Sequence, residues 1–134
     1  TRLLEIGLPP YLVGASLLAV LAQRLVRRNC RHCVAPEPAD ATVASALGVA
    51  PEEGFRRGTG CRHCHGTGYA GRQAVYELLV AGPELRARIA AGADATELAR
   101  LAEADGMIPL TCNALSLARR GVTSLAEVLR VRTG

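Results

Sequence analysis

A chain of 134 residues has room for one domain, or for a domain with an appendage. About half of it is hydrophobic, yet its aromatics are only Tyr11, Phe55, Tyr69 and Tyr76, so its core must be built from Leu, Val and Ala. All sixteen basic residues are arginine and the formal net charge is +4, an excess that lacks the interleaved aromatics of a base-stacking nucleic-acid surface.

The chain order predicts a mostly helical α+β unit. Thr1–Ile6 reads as the tail of a helix, with Gly7 as its stop. Pro10 suits the first turn of a second helix, expected to run to about Arg28 with Val13, Leu17, Leu18, Leu21 and Leu25 at helical spacing. Arg24, Arg27 and Arg28 would then favour the dipole at its C-terminus. The uncharged run from Ile6 to Gln23 is broken by Pro9 and Pro10 and diluted by Gly14 and Ser16, so a buried helix is expected rather than insertion into a membrane.

From Val34 to Gly54 the chain reads as a loop with one helical segment near Asp40–Leu47. A short strand is expected at residues 55–57 and a longer one at Arg72–Val80. The last third reads as four helices. Pro83 opens one that closes at Gly92, and Asp94 with Glu97 starts one that runs to Ala104. Leu110–Arg120 is the third, and Ser124 with Glu127 forms an S-x-x-E box for the last, to about Arg132. Leu98, Leu101, Leu115, Leu117, Leu125, Val128 and Leu129 are the expected core, and Cys112 is expected among them as a buried, inert thiol.

Chemistry concentrates in two Cys-x-x-Cys pairs, Cys30/Cys33 and Cys61/Cys64, with 27 residues between them. Four thiolates in two tight turns are a ligand set for structural zinc, and they leave no open position for water or substrate. Disulfides would leave one of the five cysteines unpaired, a redox pair needs only one such motif, and an iron–sulfur cluster is the third, minor alternative for four cysteines. His32, His63 and His65 lie in or beside the knuckles and are expected in solvent. There is no phosphate-binding G-x-x-x-x-G-K-[ST] loop, no nucleophile elbow and no paired carboxylates, so no catalytic residue is assigned.

Several strings together resemble one family. They are Gly7-Leu-Pro-Pro-Tyr-Leu-Val, Leu21-Ala-Gln-Arg-Leu-Val-Arg-Arg before the first knuckle, Gly60-Cys-Arg-His-Cys-His-Gly-Thr-Gly-Tyr-Ala-Gly-Arg, Val75-Tyr-Glu-Leu-Leu-Val, and the ending from Gly121. The whole chain resembles the C-terminal part of the type II secretion ATPases, protein E of the general secretion pathway, and of the related type IV pilus extension ATPases. Ala70 departs from the family's usual Lys or Arg, and the Tyr76-Glu-Leu-Leu string leans toward the secretion branch.

The resemblance implies a cytoplasmic hexameric parent that hydrolyses ATP with Mg²⁺ beneath the bacterial inner membrane and drives assembly of pilin-like subunits. Its phosphate loop and acidic boxes would precede Thr1. Residues 1–29 would be the last helices of the RecA-like ATPase core, 30–70 the tetracysteine zinc subdomain, and 71–134 a strand and C-terminal helical bundle. Cys30, Cys33, Cys61 and Cys64 carry over as zinc ligands. Gln23 and Arg24 match a Gln-Arg-Leu element to which no catalytic role is given. Expected partners are neighbouring subunits of the hexamer and inner-membrane platform proteins, with no nucleic acid. This portion alone is not expected to be an enzyme. The Cys61-Arg-His-Cys-His-Gly-Thr-Gly string also resembles one unit of the Hsp40 co-chaperone zinc centre, which would make the chain a client-binding module, but that centre uses four such units.

Overall fold

The computed structural model describes residues 2–132; Thr1, expected in the first helix, lies outside them. Seven α-helices and four strands follow in the order α1 (Arg2–Glu5), α2 (Pro10–Ser16), β1 (Ala19–Asn29), β2 (Val34–Glu37), α3 (Ala41–Leu47), β3 (Phe55–Gly58), β4 (Tyr69–Val80), α4 (Pro83–Ala90), α5 (Ala95–Ala104), α6 (Leu110–Arg119) and α7 (Leu125–Val131). A single 3₁₀ turn covers Arg62–Cys64. The fold is therefore mixed α and β, as expected, with β1 paired to β4 and β2 paired to β3.

The helix expected to reach Arg28 does not. It ends at Ser16, where Leu17 turns to extended backbone (φ −70°, ψ 123°), and Ala19–Asn29 is a strand. Pairing with β4 overrides the helix-forming Leu, Ala, Gln and Arg of this segment. Leu18, Leu21 and Leu25 are consequently exposed, and Arg24, Arg27 and Arg28 cap no helix. β2 is a second departure, a strand where a loop is expected. Val34–Glu37 runs antiparallel to β3, with Val34 opposite Gly58 and Glu37 opposite Phe55. Pro36 is tolerated because a two-stranded ribbon leaves every strand an unpaired side.

The remaining elements match expectation closely. Asp40 accepts from the Thr42 and Val43 amides at the start of α3, and Gly48 ends that helix at φ 66°. Asp94 accepts from the Glu97 amide to start α5. At α7 only half of the expected box forms. Ser124 accepts from the Glu127 amide, while the Glu127 carboxylate turns to Arg27 and Arg130. Cys112 is exposed, correcting the buried assignment: Leu110, Ala114 and Ala118 form the inward stripe of α6 and Cys112 falls outside it.

The chain divides into two compact units. Unit 1 comprises residues 1–22 and 77–109, and unit 2 comprises residues 23–76 and 110–134. In unit 1, α2 packs on α4 over Ala81, Leu85 and Ile89, joined by Val13, Leu17, Leu79, Leu98 and Leu101. The helices approach so closely that a Cβ on buried Gly14 would stand 2.7 Å from the Arg86 carbonyl oxygen. Unit 2 holds both knuckles, and α6 and α7 pack within the same unit as β2, α3 and β3. Its core includes Val26, Phe55, Val75, Leu110, Ala114 and Val128. No helix among the described residues is long and apolar enough to cross a membrane.

Candidate metal centre

Each cysteine pair is set by a short turn at the end of a strand. β1 delivers Cys30, and the Cys33 amide bonds back to the Cys30 carbonyl at 3.3 Å. The second knuckle follows β3. There Gly66 donates to the Cys61 carbonyl at 2.8 Å, and His65 adopts left-handed backbone at φ 53° to turn the chain. The loops are locked together by backbone. The Cys30 amide donates to the Gly68 carbonyl at 2.9 Å and the Thr59 amide to the Cys33 carbonyl at 3.1 Å.

This framework brings all four predicted ligands together. Every pair of the Cys30, Cys33, Cys61 and Cys64 sulfurs lies within 4.8 Å. Cys30 to Cys61 is 3.8 Å, Cys33 to Cys64 is 3.9 Å and Cys61 to Cys64 is 3.7 Å. Sulfurs placed tetrahedrally about 2.3 Å from one ion are about 3.8 Å apart. A disulfide needs about 2.05 Å, and all five cysteines are free. The donor set thus fits a tetrahedral cation and fits no disulfide pairing.

The surroundings also suit thiolates. The Gly60 amide donates to Cys33 Sγ at 3.3 Å, the Cys61 amide to Cys64 Sγ at 3.2 Å and the Gly68 amide to Cys64 Sγ at 3.1 Å. At Cys64 burial disfavours the charge, but the Cys61 and Gly68 N–H groups outweigh it and bring the thiol down to about 6. Burial pushes the Cys33 thiol up to about 11. A cation must displace the protons that remain, so its affinity falls as pH falls.

The histidines contribute no ligand to this cluster. His32 and His63 instead stack on each other, ring centroids 3.9 Å apart and 18° from parallel, at the exposed crests of the two knuckles.

Beside the sulfurs lies a polar network that the sequence reading missed. Glu127 is 1% exposed and accepts from Arg27 Nη2 at 2.9 Å, the Arg27 amide at 2.7 Å and Arg130 Nη2 at 2.8 Å. The Arg27 guanidinium lies over the Tyr69 ring, 4.1 Å from its centroid. Burial opposes the Glu127 charge, yet hydrogen bonds from Arg130 and Arg27 prevail and hold the carboxyl down at about 2.

A model of the family described as "Type II/IV secretion system protein" matches residues 1–130. The chain belongs to this family. Among its relatives, the type IV pilus assembly ATPase PilB of Thermus thermophilus is 45% identical over 133 residues, covering 96% of this chain and 15% of that protein. Type II secretion system protein E of Klebsiella pneumoniae is 40% identical over 131 residues, covering 98% of the chain and 26% of the relative. The Pseudomonas aeruginosa protein of the same description is 39% identical over 133 residues, with the same coverage. This type II/IV secretion family chain therefore spans about a quarter or less of the curated relatives it matches.

Proposed function

We infer that this chain is the zinc-stapled C-terminal portion of a secretion or pilus-assembly ATPase, and that it works as scaffold. The observation that carries this reading is the set of tetrahedral sulfur separations at Cys30, Cys33, Cys61 and Cys64. Zinc is the d¹⁰ cation that suits four thiolates, and a shell closed by four protein ligands holds backbone in place without activating water. The family supports a parent hexamer on a RecA-like core, cytoplasmic, with neighbouring subunits and inner-membrane platform proteins as partners. Residues 30–70 are its metal subdomain.

Exposed apolar surface supports membership of a larger domain. In unit 1, Ile6, Tyr11, Leu18, Leu21 and Val80 are each more than half exposed. A two-stranded ribbon with such surface is marginal in water by itself; the rest of the parent is the natural cover. The 45% identity to the Thermus pilus ATPase favours a second reading, the same portion of a pilus machine. Catalysis by this portion alone is not expected.

The test is metal analysis with activity. The purified chain should carry one zinc, lose it on Cys61→Ser, and show no ATP turnover. Metal-free protein, or zinc that survives Cys61→Ser, defeats the zinc reading; measurable hydrolysis defeats the scaffold reading.

A further inference from the structure

Charge is divided unevenly between the two units. Unit 2 holds twelve of the sixteen arginines but five of the twelve acids, a net +7, while unit 1 is net −3. Two acids of unit 2 are already engaged: Glu127 lies between Arg27 and Arg130, and Glu53 meets Arg119 at 3.5 Å. Nine guanidiniums of unit 2 consequently have no carboxylate within salt-bridge distance among the described residues.

Placement matters more than number. Both knuckles have the same sequence, Cys30-Arg31-His32-Cys33 and Cys61-Arg62-His63-Cys64. The His32–His63 stack joins their crests, and Arg31 and Arg62, both exposed, each flank one of the stacked histidines. Arg28 leads into the first knuckle on β1, and Arg57 lies on β3 just ahead of the second.

We propose that this double-knuckle crest docks an acidic polypeptide segment of a partner, a run of Asp and Glu side chains. The guanidinium fork takes a carboxylate through two parallel bonds; Arg130 already binds Glu127 in this way, and Arg27 places two N–H groups on the same Glu127 oxygen, Oε1. The crest offers no Tyr, Phe or Trp on which a base could stack, and its two imidazoles face each other. It also lacks an apolar wedge for a bilayer. The exposed large hydrophobics of unit 2 among the described residues are Leu25 and Tyr76, five residues before the first ligand and twelve after the last.

The experiment uses the metal-loaded chain and a fluorescein-labelled decaglutamate peptide, with phosphatidylglycerol vesicles and a short DNA duplex as competing probes. Arg31→Gln/Arg62→Gln should weaken peptide binding about tenfold or more, as loss of two charge-assisted pairs implies, and should keep its metal. Arg24→Gln/Arg132→Gln removes equal charge from unit 2 outside the knuckles and should cost less than about threefold on the same basis. The proposal is overturned by equal losses in both variants, by no peptide binding, by metal loss in the crest variant, or by tighter arginine-dependent binding of vesicles or duplex. Should the crest variant misfold, peptide-induced amide shifts in the unaltered chain decide. Shifts centred on 28–33 and 57–65 support the crest, and shifts centred elsewhere refute it.

Discussion

The Tyr69 hydroxyl sits 2.6 Å from Ser124 Oγ, with both residues buried, and so ties the end of the second knuckle to the first turn of α7. Gly68, the residue before Tyr69, donates to Cys64 Sγ and accepts from the Cys30 amide. One unbroken path of contacts therefore runs from the sulfur cluster to the C-terminal helix. Tyr69→Phe removes the hydroxyl and leaves the ring under Arg27 in place. It should cost about 1–2 kcal/mol, the range for losing one buried hydrogen bond. Denaturant titration measures the loss, and zinc content should be unchanged because no sulfur contact is altered.

The same path predicts what metal removal does. β2, β3 and the connecting loop bury few large residues beyond Phe55 and Val49, whereas zinc in small peptides supplies an apparent 10–16 kcal/mol near neutral pH. Strong chelation should abolish amide-exchange protection across 34–70, and protection of α7 should fall with it. Protection of α4 and α5 in unit 1 should persist. Unaltered exchange at 34–70 after chelation would sink the stapling idea, and an unaltered α7 would sink the path through Tyr69.

These relationships were unequally legible in the sequence. The cysteine spacing was enough to place the cluster, because a two-residue gap constrains both sulfurs locally. Caps at Asp40, Asp94 and Ser124 are also local, and they start their helices where expected. β1 was not legible. Its less exposed residues Ala22 and Val26, with Cys30 just past its end, fall four apart, a spacing shared by one face of a helix and one face of a strand. The partner strand β4, some fifty residues away, decides between them. Glu127 was read as half of a capping box, because nothing near it in sequence announces Arg27, one hundred residues earlier.

Glu127 gives a pH prediction with a definite sign. Its carboxyl is held at about 2, below the ordinary 4.5. The stabilisation is complete above the ordinary value and drains away as pH falls toward 2. Arg27 and Arg130 are half exposed, so solvent screens part of the gain and roughly 2 kcal/mol remains. Glu127→Gln should therefore be less stable than the unaltered chain by about that amount at pH 7, with the gap narrowing between pH 4.5 and 2. A gap that does not vary with pH would show that packing, not charge, is what Glu127 contributes.

Two glycines make the knuckle framework possible. A Cβ built on Gly58 runs into the Gly68 carbonyl, and one on Gly68, where φ is +80°, runs into the Gly58 carbonyl. Backbone meets backbone, so neither side can yield without moving the Gly68 amide from Cys64 Sγ. Gly58→Ala should weaken zinc binding by at least about tenfold, the low end of losses seen when groups supporting a metal's ligands are displaced. Competition with a chromophoric chelator reads this directly. Gly54→Ala, where a Cβ meets nothing within 4 Å, is the matched control and should bind as the unaltered chain does.

Exposed apolar surface in unit 1 has a consequence for the chain when purified alone. Leu18 is 72% exposed, Ile6 69% and Val80 64%, and the ribbon of β1 and β4 has no third strand among the described residues. Open strand edges flanked by such side chains recruit other copies. The isolated chain should therefore associate as concentration rises and bind a dye for apolar surface. Leu18→Gln with Val80→Thr should lower both signals without destabilising the fold, since neither residue is buried and surface substitutions of this kind cost within about 0.5 kcal/mol. Sedimentation velocity across a concentration series checks it. A chain that stays monomeric and dye-free throughout would mean that this face needs no cover, and would remove the exposed-surface support for a larger parent domain.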